Sequence, residues 1–151
     1  MEFKAALSKA MQICSRREMC ISDIETKLEL WGVTNTDASK IINTLLKENF
    51  INEERYAKAF VSDKFNYNKW GKIKIASHLK AKRIPAATIG LALEEIDNSQ
   101  YISAIETILK SHKKTIKAKS DYELKAKLLR FGLSRGFESS LLYEFIGNVD
   151  D

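Results

Sequence analysis

Between Asp63 and Glu94 the chain carries no carboxylate. Inside that interval stand Lys64, Lys69, Lys72, Lys74, Lys80, Lys82 and Arg83, with Phe65, Tyr67 and Trp70 interleaved among the first of them. A second carboxylate-free run, from Ser111 to Ser120, holds Lys113, Lys114, Lys117 and Lys119. Clustered ammonium groups without local counter-charge suit one task, the neutralisation of a polyanion such as DNA phosphate or an acidic protein surface. Trp70 and Tyr67 add rings on which a base can stack, although packing against the helix they precede is the competing use of the same side chains. A lysine face that serves solubility alone is the competing reading of the whole cluster.

Residue patterns that carry catalysis are missing from the sequence. It has no glycine-rich phosphate loop, no dinucleotide fingerprint, no nucleophile elbow and no plausible Cys/His pair. Acidic groups at Glu53-Glu54 and at Glu94-Glu95-Asp97 fall where helices begin or end, and there carboxylates mostly complement the helix dipole. Cys14 and Cys20, six apart, read as free thiols, and His78 and His112 are isolated from any metal-ligand spacing. No catalytic residue, cofactor or metal is assigned. An enzyme would need a cleft lined by convergent polar groups.

The elements that must position the lysines follow from an internal repeat. Ile24, Leu28, Gly32, Val33, Ile41, Ile42 and Leu45 match Ile75, Leu79, Arg83, Ile84, Ala92, Leu93 and Ile96 at an offset of 51. They match again, after a further 49, at Leu124, Leu128, Gly132, Leu133, Leu141, Leu142 and Phe145. A repeat of this period is one supersecondary unit used several times. With one proline and six glycines, and long stretches rich in Leu, Ile, Ala, Lys and Glu, the unit is helical. The expected fold is all-α: three tandem three-helix repeats resembling helix-turn-helix modules, over 1–51, 52–98 and 99–151, in an elongated, curved array.

First helices are expected over about 3–14, 53–67 and 100–112, with Leu7, Ala10 and Met11, Tyr56, Ala59 and Phe60, and Ile105, Ile108 and Leu109 on their inner faces. Ser22 with Glu25 and Ser120 with Glu123 have capping-box spacing at the second helices. Gly32 and Gly132 suit left-handed caps, after which Thr34, Pro85 and Ser134 stand at the third helix starts. Asn52 before Glu53 and Glu54, and Asp97 before Asn98 and Ser99, mark the starts of the later first helices.

The net charge of +5 is unevenly spread. Residues 1–49 hold seven basic and seven acidic side chains, residues 50–100 nine and six, and residues 101–151 nine and seven. The first repeat is therefore neutral, and the lysines of the other two fall in the segment between first and second helices. The N-terminal stretch is amphipathic and lysine-bearing, unlike a signal peptide, and no window has the apolar length of a membrane span. A cytoplasmic, soluble monomer is expected.

The run Phe50-Ile51-Asn52-Glu53-Glu54-Arg55-Tyr56-Ala57-Lys58-Ala59-Phe60-Val61, then Trp70-Gly71-Lys72-Ile73-Lys74-Ile75 and Leu79-Lys80-Ala81-Lys82-Arg83-Ile84, resembles the signature of the RecX family of bacterial regulators of the RecA recombinase. Upstream, Cys14-Ser15-Arg16-Arg17-Glu18 resembles the family's start. Two departures are Glu53, where the family usually has Asp, and Arg83, where it usually has Gly. The resemblance implies a modular protein without an active site that lies in the groove of the RecA–DNA filament and restrains ATP hydrolysis and strand exchange. Its partners would be the recombinase filament and, through it, DNA. An autonomous helix-turn-helix DNA-binding protein is the alternative, although Thr36 to Glu48 has as many acids as lysines.

Overall fold

A computed structural model of the protein describes residues 1–147. Among the described residues every regular element is a helix: α1 (Phe3–Arg16), α2 (Ile21–Leu30), α3 (Asn35–Lys47), α4 (Glu53–Asn66), α5 (Lys72–Ala81), α6 (Ala86–Glu94), α7 (Asn98–Lys113), α8 (Asp121–Ser134) and α9 (Ser139–Ile146). The all-α helical-repeat expectation holds, and Ile73-Lys74-Ile75, which alternates like a strand, lies within α5. The helices sort into two compact units, Met1–Phe60 with Leu79–Ala92, and Val61–His78 with the described residues from Leu93 onward.

The first unit buries Ala6, Ala10, Cys14, Met19, Ile24, Leu28, Ile41, Ile42, Leu45 and Ile51, with Leu7, Met11, Trp31 and Val33 packed on them half-buried. The α1 stripe is thus centred on Ala6, Ala10 and Cys14, one position round from the expected trio. Cys14 and Cys20 are buried free thiols, and burial raises the pKa of both above the ordinary thiol value. Polar contacts tie the helices of this unit together. Arg55 pairs with Glu18 and donates to the carbonyls of Asn49 and Phe50. The Ile21 amide donates to Glu53 (3.2 Å), which caps α2 in place of the expected Ser22–Glu25 box. Ser22 lies inside α2, where its hydroxyl donates to the Lys82 carbonyl; the predicted cap fails because the helix starts two residues earlier than a Ser22 cap requires, with Cys20 at the N-cap.

In the second unit an aromatic chain, Phe65, Tyr101 and Phe137, runs through the core with ring centroids 5.8 and 5.4 Å apart. Ile105, Leu109, Leu128, Leu142 and Ile146 are buried beside it. Tyr101 accepts a hydrogen bond from the Lys72 amide (3.0 Å) and donates to Glu138. Burial, with the Glu138 bond added, pushes its phenol far above the ordinary range.

Second-to-third helix turns share one closure. Val33 N–H donates to Leu28 C=O (3.0 Å), Ile84 to Leu79 (3.2 Å) and Phe137 to Gly132 (3.2 Å), in each case across a left-handed residue: Gly32 (φ 73°), Arg83 (φ 62°) and Gly136 (φ 91°). The third turn lies four residues later than the repeat alignment placed it, because α8 has 14 residues against 10 in α2 and α5. Gly132 is therefore a buried helical residue in van der Waals range of Leu142, not a cap. Ser134 ends α8 and bonds back to Phe131, and Leu133 and Phe145, expected in the core, are exposed. An added helical turn nearly preserves the apolar face, which is why the columns still appeared to align. The other caps form as read: Thr34, Asn52, Asp97 and Ser120 accept from the amides of Asp37, Arg55, Gln100 and Glu123.

Candidate functional site

Gly71 sets the geometry of the basic segment. Its amide donates to Arg135 C=O (2.7 Å), and the Ile73 amide to Gly136 C=O (3.0 Å), so the start of α5 is bonded to the turn after α8. The approach is so close that a Cβ on Gly71 would lie 2.3 Å from the Gly136 backbone. Glycine is required there by contact with backbone that cannot swing away.

Lysines radiate from this junction over aromatic faces. The Lys72 ammonium sits 4.7 Å from the centre of the Tyr101 ring, and Lys74 is 4.6 Å from the Trp70 ring, with Lys64 at 4.9 Å from the same ring. Lys74 also reaches the Ser134 carbonyl (3.5 Å), and the His78 ring packs 4.5 Å from Trp70. Trp70 is half-buried and packs with Lys64, Lys74 and His78 around its ring. Lys69 is exposed with a left-handed backbone (φ 57°), directly before Trp70.

The candidate cations divide between the two units. Lys64, Lys69, Trp70, Lys72, Lys74, Lys113, Lys114 and Lys117 belong to the second unit, whereas Lys80, Lys82 and Arg83 belong to the first. Lys82 is engaged by Asp23 at 2.5 Å. Burial pushes the Asp23 carboxyl up, but the hydrogen bonds from Lys82 and Cys20 and the Lys82 charge outweigh it, leaving that carboxyl below its ordinary range. The same hydrogen bond raises the Lys82 ammonium. Lys113 ends α7, and Lys114, Lys117 and the intervening residues link it to α8; the Lys117 carbonyl accepts from Lys127 (2.8 Å). Arg130 and Arg135 escaped the sequence reading. They stand on α8 and just after it, in the carboxylate-free stretch between Glu123 and Glu138, and only folding brings them toward Lys69 and Lys117 along common clefts.

Comparison with known proteins places the chain. A family model described as RecX, second three-helix domain, matches residues 52–93, and one described as RecX, third three-helix domain, matches residues 99–146. A protein of Vibrio campbellii named "Regulatory protein RecX" is 32% identical over 128 residues, covering 85% of this chain and 81% of its own. The chain belongs to the RecX family. A second relative of that name, from Acinetobacter baylyi, is 26% identical across 95% of this chain and 87% of its own. The crystal structure of a regulatory protein RecX superposes with a TM-score of 0.87 at 22% identity, over 95% of this chain and 70% of that one, and supports the fold. A RecX chain is a regulatory protein, and RecX is not an enzyme family. No helix among the described residues is long and apolar enough to cross a membrane.

Proposed function

We propose that the chain regulates the RecA recombinase by binding in the groove of the RecA–DNA filament, and that it inhibits ATP hydrolysis and strand exchange there. Lys64, Lys69, Lys72 and Lys74 supply the main contact, with Lys113, Lys114 and Lys117 extending it in the next repeat and Lys80, Lys82 and Arg83 contributing less. The observation that carries this reading is the bracing of Lys72 and Lys74 over aromatic rings beside the Gly71 junction. Ammonium groups held in place by ring faces and backbone carbonyls lose less conformational freedom on meeting phosphate or carboxylate than tethered lysines would. Lys82 must first leave Asp23, so it ranks behind them.

On this reading the repeats over 1–51, 52–98 and 99–151 act as successive contact modules of a monomer, and weak contacts combine through high effective concentration. The protein works in the cytoplasm, in DNA repair and homologous recombination during the SOS response, and has no active site of its own. Autonomous duplex recognition by third helices is disfavoured by α6 and α9, whose sequences AATIGLALE and SSLLYEFI have no lysine or arginine to offer a major groove. Replacing Lys69, Lys72 and Lys74 together by Gln tests the proposal. Inhibition of strand exchange should fall by about tenfold or more in effective concentration, as expected for the loss of several phosphate contacts. Undiminished inhibition by a variant with native helix content would refute the assignment.

A further inference from the structure

Three clefts of the second unit adjoin where the end of α4 and its following turn meet α7 and α8, with volumes of about 550, 470 and 670 Å³. Neighbouring clefts share walls. Lys69, Thr107 and Ile108 line the first and second, and His112, Thr115 and Phe131 line the second and third. The result is one continuous track.

Its chemistry is uniform along its length. No carboxylate is among the residues lining the three clefts, whereas Lys69, Arg135, Arg130 and Lys117 line one or another of them. Lys127 also lines it but is held by Glu123 at 2.9 Å. Between the cations lie hydroxyl groups, among them those of Ser103, Thr107 and Thr115. Two aromatic surfaces face the track. His112 lies flat on Phe131, with ring centroids 3.7 Å apart and planes 8° from parallel. Arg135 packs its guanidinium 5.3 Å from the Phe131 ring and donates to Asn68 C=O (3.3 Å). Tyr67, by contrast, is 83% exposed, next to Asn68 and Lys69 on the wall of the middle cleft. A large ring left this open in a cationic groove has no packing role to explain it.

We infer that this track is a binding site for single-stranded nucleic acid, with Lys69, Arg135, Arg130 and Lys117 on successive phosphates and Tyr67 stacked on an unpaired base. The juxtaposition favours a single strand over the other polyanions. A duplex presents phosphate but hides its base faces, leaving Tyr67 unused, and an acidic peptide would use the cations and leave the ring idle. Hydroxyls and cations along a groove with an open aromatic ring are the parts with which proteins hold a strand without reading its sequence. The inference goes beyond the filament reading because it needs no recombinase. It also moves the centre of nucleic-acid contact from the α5 lysines to Arg130 on α8 and Arg135 in the turn that follows it.

Fluorescence anisotropy of a fluorescein-labelled oligo(dT), titrated with the full chain in the absence of recombinase at fixed low salt, tests it. Tyr67→Ala should weaken binding about tenfold, and Tyr67→Phe should retain it, since the ring and not the hydroxyl stacks. Lys117→Glu with Arg130→Glu should also weaken binding by about tenfold or more. These three side chains are exposed, so the variants keep the fold and circular dichroism serves as the control. A duplex of equal length should bind several-fold more weakly. The inference is overturned if Tyr67→Ala binds within twofold of the parent, if the duplex binds as well as the single strand, or if poly-glutamate displaces the oligonucleotide as effectively as unlabelled oligo(dT). Because no recombinase is present, such a failure leaves the filament reading untouched.

Discussion

Arg83 occupies a backbone conformation that Gly32 and Gly136 occupy at the equivalent turns, with φ 62° against 73° and 91°. A side chain there sets Cβ against the following carbonyl, a cost of about 1 kcal/mol. Arg83→Gly should therefore raise stability by about 1 kcal/mol in urea unfolding, and a comparable loss instead would show that the guanidinium makes a compensating contact. A second residue-scale test concerns Asp23 and Lys82. The Asp23 carboxyl is held below its ordinary value of 3.8 in the fold, so its contribution is present above that pH and fades as pH falls further. Lys82 is 46% exposed, which screens the pair and limits it to about 0.5–1 kcal/mol. Asp23→Asn should lose that amount near neutrality, and the gap between variant and parent should close as the medium is acidified below the unfolded value.

At the scale of elements, two glycines have opposite roles. Gly71 abuts the Gly136 backbone, and a methyl group there would push α5 off the α8–α9 turn. Gly71→Ala should cost about 2–3 kcal/mol and displace Lys72 and Lys74, visible as lower thermal stability with weakened partner binding. Gly90, inside α6, has nothing within 4 Å of a Cβ, so Gly90→Ala should stabilise the helix by about 0.5–1 kcal/mol. Equal effects of the two substitutions would contradict this account of the junction.

For the whole molecule, regulation through charge makes the salt dependence the informative measurement. If Lys69, Lys72 and Lys74 each neutralise a phosphate in the filament, each removal should flatten the slope of log affinity against log salt by about 0.7–0.9. The triple Gln variant should then show a slope reduced by roughly two to three, and an unchanged slope would move the contact elsewhere. Neutral residues 1–49 would supply framework contacts with little salt dependence.

Much of the fold was legible in the amino-acid order because helical periodicity and caps are local. Ile24 and Leu28, Ile75 and Leu79, and the caps at Thr34, Asn52, Asp97 and Ser120 depend on neighbours within four residues. The lysine runs were visible for the same reason. What tertiary structure decided lies at long sequence separation. Glu53 caps α2 from another helix, Gly71 packs on Gly136, and α8 carries an extra turn that apolar spacing absorbed without a signal. The same holds for the surface: Trp70 is covered by cations, Tyr67 is left open, and Arg130 and Arg135 line clefts with lysines remote in sequence. Periodicity records which face of a helix is apolar, but only packing determines which charged groups from different helices come to share a groove.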